Sequence, residues 1–365
     1  MDKKFYSLWL SNIQGIGRKK IFYLLDYFNT PENIWNADIN EFMSIEGIKN
    51  ETALKIIKSK NKDYVYNLME LMDKHNIDFV TYFDKEYPKL LKNIYDPPFG
   101  FYIKGTMPDD SLEKIGIIGA RKCTDYGKSV AFNLANDLGE RNIVIVSGMA
   151  RGIDTAAHKG AIAGKGKTIA VFGCGLDICY PSENKYIMEK IIDNGCVISE
   201  FPPKTSPASY NFPLRNRIIS GLSKAIIVVE ASEHSGTFST VESALENGRD
   251  VFAVPGNITS KYSAGTNSLI KQGCPPITNF EDILFELGMS YEEEETEKYI
   301  NNIPDNISIE EKQVFDCLSS EPVSVDYIVN KLKKDITEIQ YILFTLEISG
   351  YIEKLPSMKY IRKNI

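Results

Sequence analysis

Six short runs of consecutive apolar residues alternate with amphipathic helical segments in the middle of the chain. The runs are KIGIIG, NIVIVSG, KTIAVFG, CVISEF, AIIVVEA and DVFAVPG. A strand without polar alternation is buried on both faces, and helices between such strands are the usual crossovers of a parallel sheet. The pattern therefore predicts an α/β domain at residues 113–285, with a Rossmann-like doubly wound parallel sheet.

The first 75 residues have a helical pattern interrupted by glycine. GIG at residues 15–17 and EGI at residues 46–48 separate apolar-periodic segments, as in tandem helix-hairpin-helix or SAM-like domains. Such hairpins can hold a nucleic acid phosphate with backbone N–H groups, but the glycines can equally serve only as turns in a small helical bundle. Basic residues follow the first turn (Arg18, Lys19 and Lys20), and the second lacks this cluster.

Two segments connect or follow these regions with different patterns. Residues 76–112 are rich in aromatic residues and proline, with strand candidates FVTYF and FGFYIKG, which predicts a connector packed on the core. Residues 286–304 carry an acidic run and predict a linker.

The last segment, residues 305–365, predicts three helices and a β-ribbon, the order of a winged-helix domain. The third helix is the usual groove reader, yet it carries Asp335, Glu338 and Glu347 and no basic residue. Because a helix that enters a DNA groove should not be anionic, we expect a protein-contact or regulatory role for this domain.

Composition limits the class of protein. The 365 residues have a formal net charge of −7 and 43% hydrophobic residues, as in a soluble globular protein. No apolar run reaches the ~18 residues of a membrane span, so no membrane is expected as a partner. The six cysteines occur singly, which indicates reduced thiols in a cytoplasmic protein, not a metal site or a disulfide framework.

Arginine is scarce and unevenly placed. Only eight of the 42 basic residues are arginine, and five of these lie in or beside turn-like motifs of the middle domain: Arg121, Arg151, Arg215, Arg217 and Arg249. A guanidinium suits bidentate phosphate binding better than an ammonium does. This placement favours an anion site in the middle domain.

The motifs that could form this site each follow the end of a predicted strand. GARK, SGMARG, the Tyr180-Pro181 turn, SEFPP with NFPLRNR, SGTFST and PGN follow successive strands. The carboxyl ends of parallel strands meet at one edge of the sheet, where ligands bind. In IVSGMARGID a strand, a glycine turn and a helix start place unpaired N–H groups and Arg151 together, which predicts a phosphate site.

Common cofactor and catalytic signatures are missing from the sequence. Gly116, Gly119 and Gly127 do not have the dinucleotide-binding spacing, and GKGK at residues 164–167 is not a Walker A loop. His158 is expected to be a packed or surface residue; His234 lies near hydroxyls, but no acid partner follows from its spacing. We therefore expect no cofactor and no metal.

Taken together, the motifs resemble those of the DNA-processing protein A (DprA/Smf) family. The resemblance rests on GARKCTDYG, SGMARGIDTAAHKGAI, SEFPP, NFPLRNRIISGLS, the SGT-containing segment through GRDVFAVPG, and GTNSLIKQG, and it covers about residues 80–280. The helical N-terminal segment and the winged-helix tail match the three-part layout of that family. Ala120 is a departure, since many relatives carry serine there.

The resemblance implies a non-enzymatic protein that binds single-stranded DNA, protects incoming DNA and loads RecA recombinase in natural transformation. It also implies a homodimer, with Leu269, Ile270 and Gln272 at the dimer or partner contact. Because Arg215 and Arg217 diverge on a helix, one is free to bind DNA while the other pairs with an acid. The implied DNA-binding residues are Gly119, Arg121, Lys122, Ser147, Gly148, Arg151, Gly152, Lys185, Phe212, Arg215, Arg217, Ser235, Gly236 and Thr237.

The alternative to a DNA-binding protein is an enzyme. SGTFSTVE, with Gly236, Thr237 and Glu242, loosely resembles the GGxGTxxE signature of nucleotide phosphoribohydrolases on a related scaffold. Ser235 replaces the first glycine of that signature, and that family lacks NFPLRNR. A metabolite-sensing regulator that binds DNA is disfavoured by the anionic third helix of the tail.

Overall fold

The computed structural model forms two compact units, residues 1–290 and 291–365. Of the predicted acidic linker, residues 290–304 lie outside the described residues. The structure describes residues 3–289, 308–318, 323–355 and 358–362.

Six short helices begin the larger unit. The turns before the second and fifth helices need glycine, because Gly15 and Gly47 have φ values of 76° and 80°. Trp9 packs edge-on against Trp35 in their core, with ring centroids 4.9 Å apart. The helices are α1 (Lys3–Ser11), α2 (Arg18–Phe28), α3 (Pro31–Asn36), α4 (Ile39–Met43), α5 (Asn50–Lys58) and α6 (Lys62–Lys74).

An eight-stranded sheet forms the centre of this unit, in the order β1-β2-β6-β5-β4-β3-β7-β8. All six predicted strands are present and pair in parallel as β3 to β8, which confirms the doubly wound Rossmann-like fold. The strands are β1 (Asp78–Thr81), β2 (Gly100–Gly105), β3 (Lys114–Ile118), β4 (Val144–Ser147), β5 (Thr168–Phe172), β6 (Cys196–Ser199), β7 (Ala225–Val228) and β8 (Asp250–Ala253).

The predicted connector, residues 76–112, does more than pack on the core. Its two strand candidates form β1 and β2, and β2 pairs antiparallel with β6. The backbone of β2 covers the edge of β6, and Phe101 and Tyr102 are buried in the cores on opposite faces of the sheet. The division at residues 75 and 112 stays a prediction.

Helices cover both faces of the sheet. Gly160 is required where α8 and α9 cross, because a Cβ there would lie 2.1 Å from the carbonyl oxygen of Phe132. The helices of this region are α7 (Lys89–Lys92), α8 (Asp125–Glu140), α9 (Ile153–Ala163), α10 (Lys185–Asn194), α11 (Asn211–Leu222), α12 (Phe238–Glu246), α13 (Ala264–Lys271) and α14 (Phe280–Glu286). Among the described residues, no helix is both long and apolar enough to cross a bilayer.

The smaller unit has the predicted winged-helix order. Ile328, Ile339 and Leu343 lie in its core. Its sheet is antiparallel, in the order β10-β11-β9. The elements are α15 (Ile309–Phe315), β9 (Val323–Ser324), α16 (Val325–Leu332), α17 (Ile336–Ile348), β10 (Ile352–Leu355) and β11 (Lys359–Arg362).

Four charged side chains join the N-terminal helices to the sheet. Glu200, at the end of β6, accepts from Arg18 at 3.0 Å and from Arg217 at 2.6 Å. Asp96 lies 2.6 Å from Arg18 and 3.5 Å from Arg217. Because all four side chains are mostly buried, each charge depends on the others for its partner.

We expect Glu200→Gln to lower the free energy of unfolding by about 2 kcal/mol. This is less than the ~3–5 kcal/mol of a fully buried pair, because Arg18 and Asp96 keep some exposure. Urea unfolding measures the change, with Glu51→Gln as control, since Glu51 pairs with Lys55 on the surface. Equal shifts of the midpoint in both variants would contradict the proposed importance of the network.

Candidate nucleic-acid interface

A cavity of about 870 Å³ opens at the carboxyl ends of the central strands. β4 lies on one side of β3 and β7 on the other, so the loops after β3 and β7 diverge and leave space between them. The turn after β3, the start of α11, the turn before α12 and the loop before α13 form its walls. It is lined by the predicted site residues Gly119, Arg121, Lys122, Phe212, Arg215, Ser235, Gly236 and Thr237.

The buried guanidinium of Arg215 forms part of the cavity floor. Its Nη1 donates to the carbonyl oxygen of Gly148 at 2.8 Å and also to that of Val171. Nε donates to Asn216 Oδ1 at 3.1 Å. Burial lowers the pKa of Arg215 to about 10, and the nearby carboxylate of Asp154 opposes this. Arg215 therefore ties the ends of β4 and β5 to α11.

The SGMARG turn is fitted closely around this guanidinium. A Cβ on Gly148 would lie 2.5 Å from Arg215 Nη1, so the missing side chain provides the space for the charge. Asp154 accepts from Ala150 N at 3.3 Å. Burial raises the pKa of Asp154, while Arg215 and the turn's N–H groups oppose the rise. The turn is thus held by an arginine on one side and a carboxyl group on the other.

Arg121 is exposed at the cavity and lies over an aromatic ring. Its Cζ is 4.7 Å from the centroid of Phe212, in cation–π geometry. Tyr180, which also lines the cavity, lies 5.8 Å from the same ring with an interplanar angle of 32°. The site therefore places one guanidinium and a second aromatic ring next to the ring of Phe212.

Glu230 positions the loop that carries Arg121. Its backbone oxygen accepts from Ala120 N at 2.8 Å. Its carboxylate accepts from Thr124 N at 2.8 Å and from Thr124 Oγ1 at 2.6 Å. Thr124 in turn caps α8 by accepting from Gly127 N. The end of β7 thus fixes the loop after β3.

The α12 side of the cavity is neutral and rich in hydroxyl groups. The hydroxyls of Ser235 and Thr237 are 2.8 Å apart, and Thr237 N donates to Ser235 Oγ. Asn216 Nδ2 donates to Ser239 Oγ at 2.8 Å. Within the described residues, no group of three or more His, Cys, Asp or Glu side chains could hold a metal ion.

Three family models match the chain along most of its length. The model described as DNA recombination-mediator protein A matches residues 78–288, and a DprA winged-helix domain matches residues 303–358. A SAM-like helix-hairpin-helix tandem matches residues 8–60.

Individual relatives agree with these matches. Protein Smf of Synechocystis sp. is 30% identical over 99% of both chains. The crystal structure of DprA from Streptococcus pneumoniae is 32% identical with a TM-score of 0.68, and the match covers 78% of this chain and 99% of that one. This chain belongs to the DprA family.

A second solved DprA structure, from Helicobacter pylori, was described for its unique single-stranded DNA binding mode. It is 31% identical with a TM-score of 0.52, and the match covers 59% of this chain and 98% of that chain. The resemblance seen in the sequence motifs is therefore confirmed, as is the three-part fold of the DprA family.

Arg151 lies beside the main cavity, at a recess of about 30 Å³ that Gly148 also lines. It pairs with Glu183 through two contacts, of 2.5 and 3.0 Å. The hydrogen bond from Arg151 holds the pKa of Glu183 below its usual value. Both side chains are exposed, so a bound anion can compete with Glu183 for Arg151.

Other predicted DNA contacts lie away from the cavity. Ser147 is fully buried, and its hydroxyl donates to the Ile117 carbonyl oxygen at 2.6 Å. Gly152 instead packs against the loop after β3, because a Cβ there would lie 2.4 Å from the Ala120 oxygen. Lys185 is exposed at the start of α10, and Arg217 is held by Glu200 and Asp96.

Several residues of the cavity were missed by sequence reasoning. Lys261 and Tyr262 line it from the loop before α13, and Asn216 and Ser239 line it from α11 and α12. Tyr180 was noted only as part of a turn. The position of this turn after a strand was the available signal, whereas no motif pointed to Lys261.

The predicted partner contacts at the end of α13 differ in exposure. Leu269 is buried in the core, Ile270 is half-buried and Gln272 is exposed. Leu269 and Gln272 line a separate cavity of about 420 Å³, together with Glu242 of α12. A partner could therefore reach Gln272 more readily than Leu269.

The two histidines considered from the sequence lie in contrasting environments. His234 is exposed and does not line the cavity. His158 is fully buried, and its Nδ1 lies 2.7 Å from Thr168 Oγ1, which donates its own proton to the Ile145 carbonyl oxygen. His158 therefore donates from Nδ1, and its Nε2 has no hydrogen-bond partner among the described residues. Burial lowers the pKa of His158 to about 3.

We expect His158 to make the fold less stable in mild acid. In the unfolded chain the His158 imidazole has a pKa of about 6.5 and binds a proton below that pH. In the folded chain its pKa is about 3, so it stays neutral down to that pH. The stability of the fold therefore falls as the pH falls below about 6.5. Between pH 7 and 5 the stability of wild type relative to His158→Gln should drop by about 2 kcal/mol.

Urea unfolding at several pH values measures this difference. The opposite contribution of Asp154, whose pKa is raised by burial, is common to both proteins and cancels. His234→Gln serves as the control and should follow wild type. A wild-type and His158→Gln difference that is constant with pH would contradict the assignment of a neutral, buried imidazole.

Proposed function

We propose that this protein binds single-stranded DNA across the cavity at the strand ends. Membership of the DprA family and the single-stranded DNA binding of the Helicobacter pylori relative support this function. The observation that carries it is the pairing of the exposed Arg121 guanidinium with the ring of Phe212 at the cavity. A cation beside an aromatic face suits a strand, which offers a phosphate and a base at each step.

The phosphate contacts are assigned to Arg121, Lys122 and Lys261. Within the described residues none of these cations lies within 4 Å of a carboxylate, so their charge is available to a ligand. The N–H group of Gly236 and the paired hydroxyls of Ser235 and Thr237 add neutral donors on the opposite side. Arg151 and Lys185 extend the basic surface beyond the cavity.

The base contacts are assigned to Phe212 and Tyr180. Stacking of a base on an aromatic ring contributes about 1–3 kcal/mol and tolerates any base. Because phosphate contacts and ring stacking do not distinguish one base from another, we expect little sequence preference and a clear salt dependence.

Arg215 and Arg217 act indirectly in this proposal. The guanidinium of Arg215 is committed to two backbone carbonyls, and that of Arg217 to Glu200. Gly119, Gly148 and Gly152 serve by allowing the loops to approach closely, and Ser147 by bracing β4 from inside. These residues shape the site, whereas the exposed cations contact the strand.

Membership of the DprA family supports a proposal for the wider role. We propose that the protein acts without catalysis in the cytoplasm, as a homodimer that contacts its partner through Ile270 and Gln272, with Leu269 beneath them. It protects incoming DNA and loads RecA recombinase during natural transformation. A RecA-loading assay on protein-coated DNA, with and without residues 290–365, tests this part directly.

The competing hypothesis of a phosphoribohydrolase needs a catalytic acid near Gly236 and Thr237, and Glu242 does not line the same cavity. The signature glutamate would have to reach the bond cleaved beside Gly236 and Thr237, but Glu242 lines the separate cavity with Leu269 and Gln272. Release of adenine from AMP by the purified protein would restore the enzyme hypothesis.

We expect Arg121→Ala to weaken binding of a labelled single-stranded oligonucleotide by about 1–3 kcal/mol, the range for a charged hydrogen bond. The slope of log affinity against log salt should fall by about 0.7, because one phosphate contact is lost. Fluorescence anisotropy across a salt series measures both quantities. The matched control is Lys62→Ala, which removes an exposed cation on α6 and should change neither. Unchanged affinity of Arg121→Ala would refute the assignment of this cavity.

A further inference from the structure

The outward face of α17 in the winged-helix unit carries large apolar side chains. Tyr341 and Ile348 are each 71% exposed and Phe344 is 59% exposed. Their spacing of three and four residues places them in one stripe along the helix. Such a stripe is unusual for a helix whose opposite face, with Ile339 and Leu343, already fills the core.

Acidic residues border this stripe on both sides. At 100° per residue, Glu338 lies on one edge and Glu347 on the other; Thr337 extends the stripe towards the start of the helix, and Thr345 lies on the Glu338 side. Lys334 pairs with Glu338, whereas Glu347 has no cationic partner within the described residues. In the part of the chain that the structure describes, the face is therefore an apolar strip with an ion-paired carboxylate on one edge and an unpaired carboxylate on the other.

This arrangement does not suit nucleic acid. In a winged helix that reads DNA, the third helix enters the groove between two rows of phosphates and needs cations at its edges. α17 contains no lysine or arginine, and its edges would repel the phosphates. The apolar strip would also face a charged, hydrated surface.

A second copy of the chain is also a poor fit. It would present the same acidic edges, so that carboxylates would face carboxylates around the apolar contact. The charges favour an occupant of the opposite sign.

We propose that α17 is a docking surface for an amphipathic segment of another protein, with apolar anchors flanked by lysine or arginine. The apolar anchors of the partner cover Tyr341, Phe344 and Ile348. These three residues lie at i, i+3 and i+7 of α17, a spacing common in helix recognition. One basic flank pairs with Glu347, and the other competes with Lys334 for Glu338; these charges set the choice of partner. This surface is independent of the cavity in the larger unit and of the function proposed for it.

Two labelled helix-forming peptides of equal length test the proposal with the full chain. Both carry leucine at i, i+3 and i+7; lysines flank the leucines in one peptide and glutamates in the other. Fluorescence anisotropy should show at least tenfold tighter binding of the lysine peptide. Phe344→Glu should weaken it at least tenfold, and the double variant Glu338→Lys/Glu347→Lys should reverse the preference.

Tyr327→Glu is the matched control, because Tyr327 is an exposed aromatic residue on α16 in the same unit. It should bind the lysine peptide as wild type does. Circular dichroism verifies that each variant is folded. Equal binding of the two peptides, or binding that survives Phe344→Glu, would overturn the proposal. So would self-association, or affinity for duplex DNA, that Phe344→Glu abolishes.

Discussion

The buried guanidinium of Arg215 holds three elements in place, and the shape of the cavity depends on it. It donates to the carbonyls at the ends of β4 and β5 while its own backbone lies on α11. A charge removed from water is costly unless its donors are satisfied, so these bonds fix the strand ends firmly. α11 also carries Phe212, and the position of that ring follows from the anchoring of Arg215.

Two glycines allow the loops around the cavity to pack closely, and one carboxylate holds a loop in place. Gly148 leaves room for Arg215, and Gly152 leaves room for the backbone of the loop after β3. Glu230, just after β7, holds that loop with its carboxylate. Gly127 leaves space for this carboxylate, because a Cβ on Gly127 would lie 2.5 Å from it. Arg121 therefore projects from a loop that is fixed at several points, which reduces the entropy lost when a ligand binds.

The sequence predicted the fold and the meeting of several motifs at one edge of the sheet, for a physical reason. Apolar runs such as AIIVV can be buried on both faces only in a parallel sheet, and parallel strands bring their carboxyl ends to one edge. The motifs after these runs had to meet there. Arg121, Phe212 and the Ser235–Thr237 turn accordingly line one cavity.

The roles of individual arginines could not be predicted in the same way. Whether Arg217 is free depends on Glu200 and Asp96, which come from separate parts of the chain and meet it only in the folded structure. The same holds for Lys261, which reaches the cavity from a loop without a motif. The strands β1 and β2 were predicted as strand candidates, but the pairing of β2 with β6 depends on tertiary contacts.

The most direct test of the central claim is the salt dependence of single-strand binding by Arg215→Lys. Lysine keeps the positive charge but cannot donate to both carbonyls in the geometry of the guanidinium. If Arg215 shapes the site, affinity should fall at least tenfold while the slope of log affinity against log salt stays at the wild-type value. Affinity within twofold of wild type would contradict this account, because a positive charge without the guanidinium geometry would then be sufficient at this position.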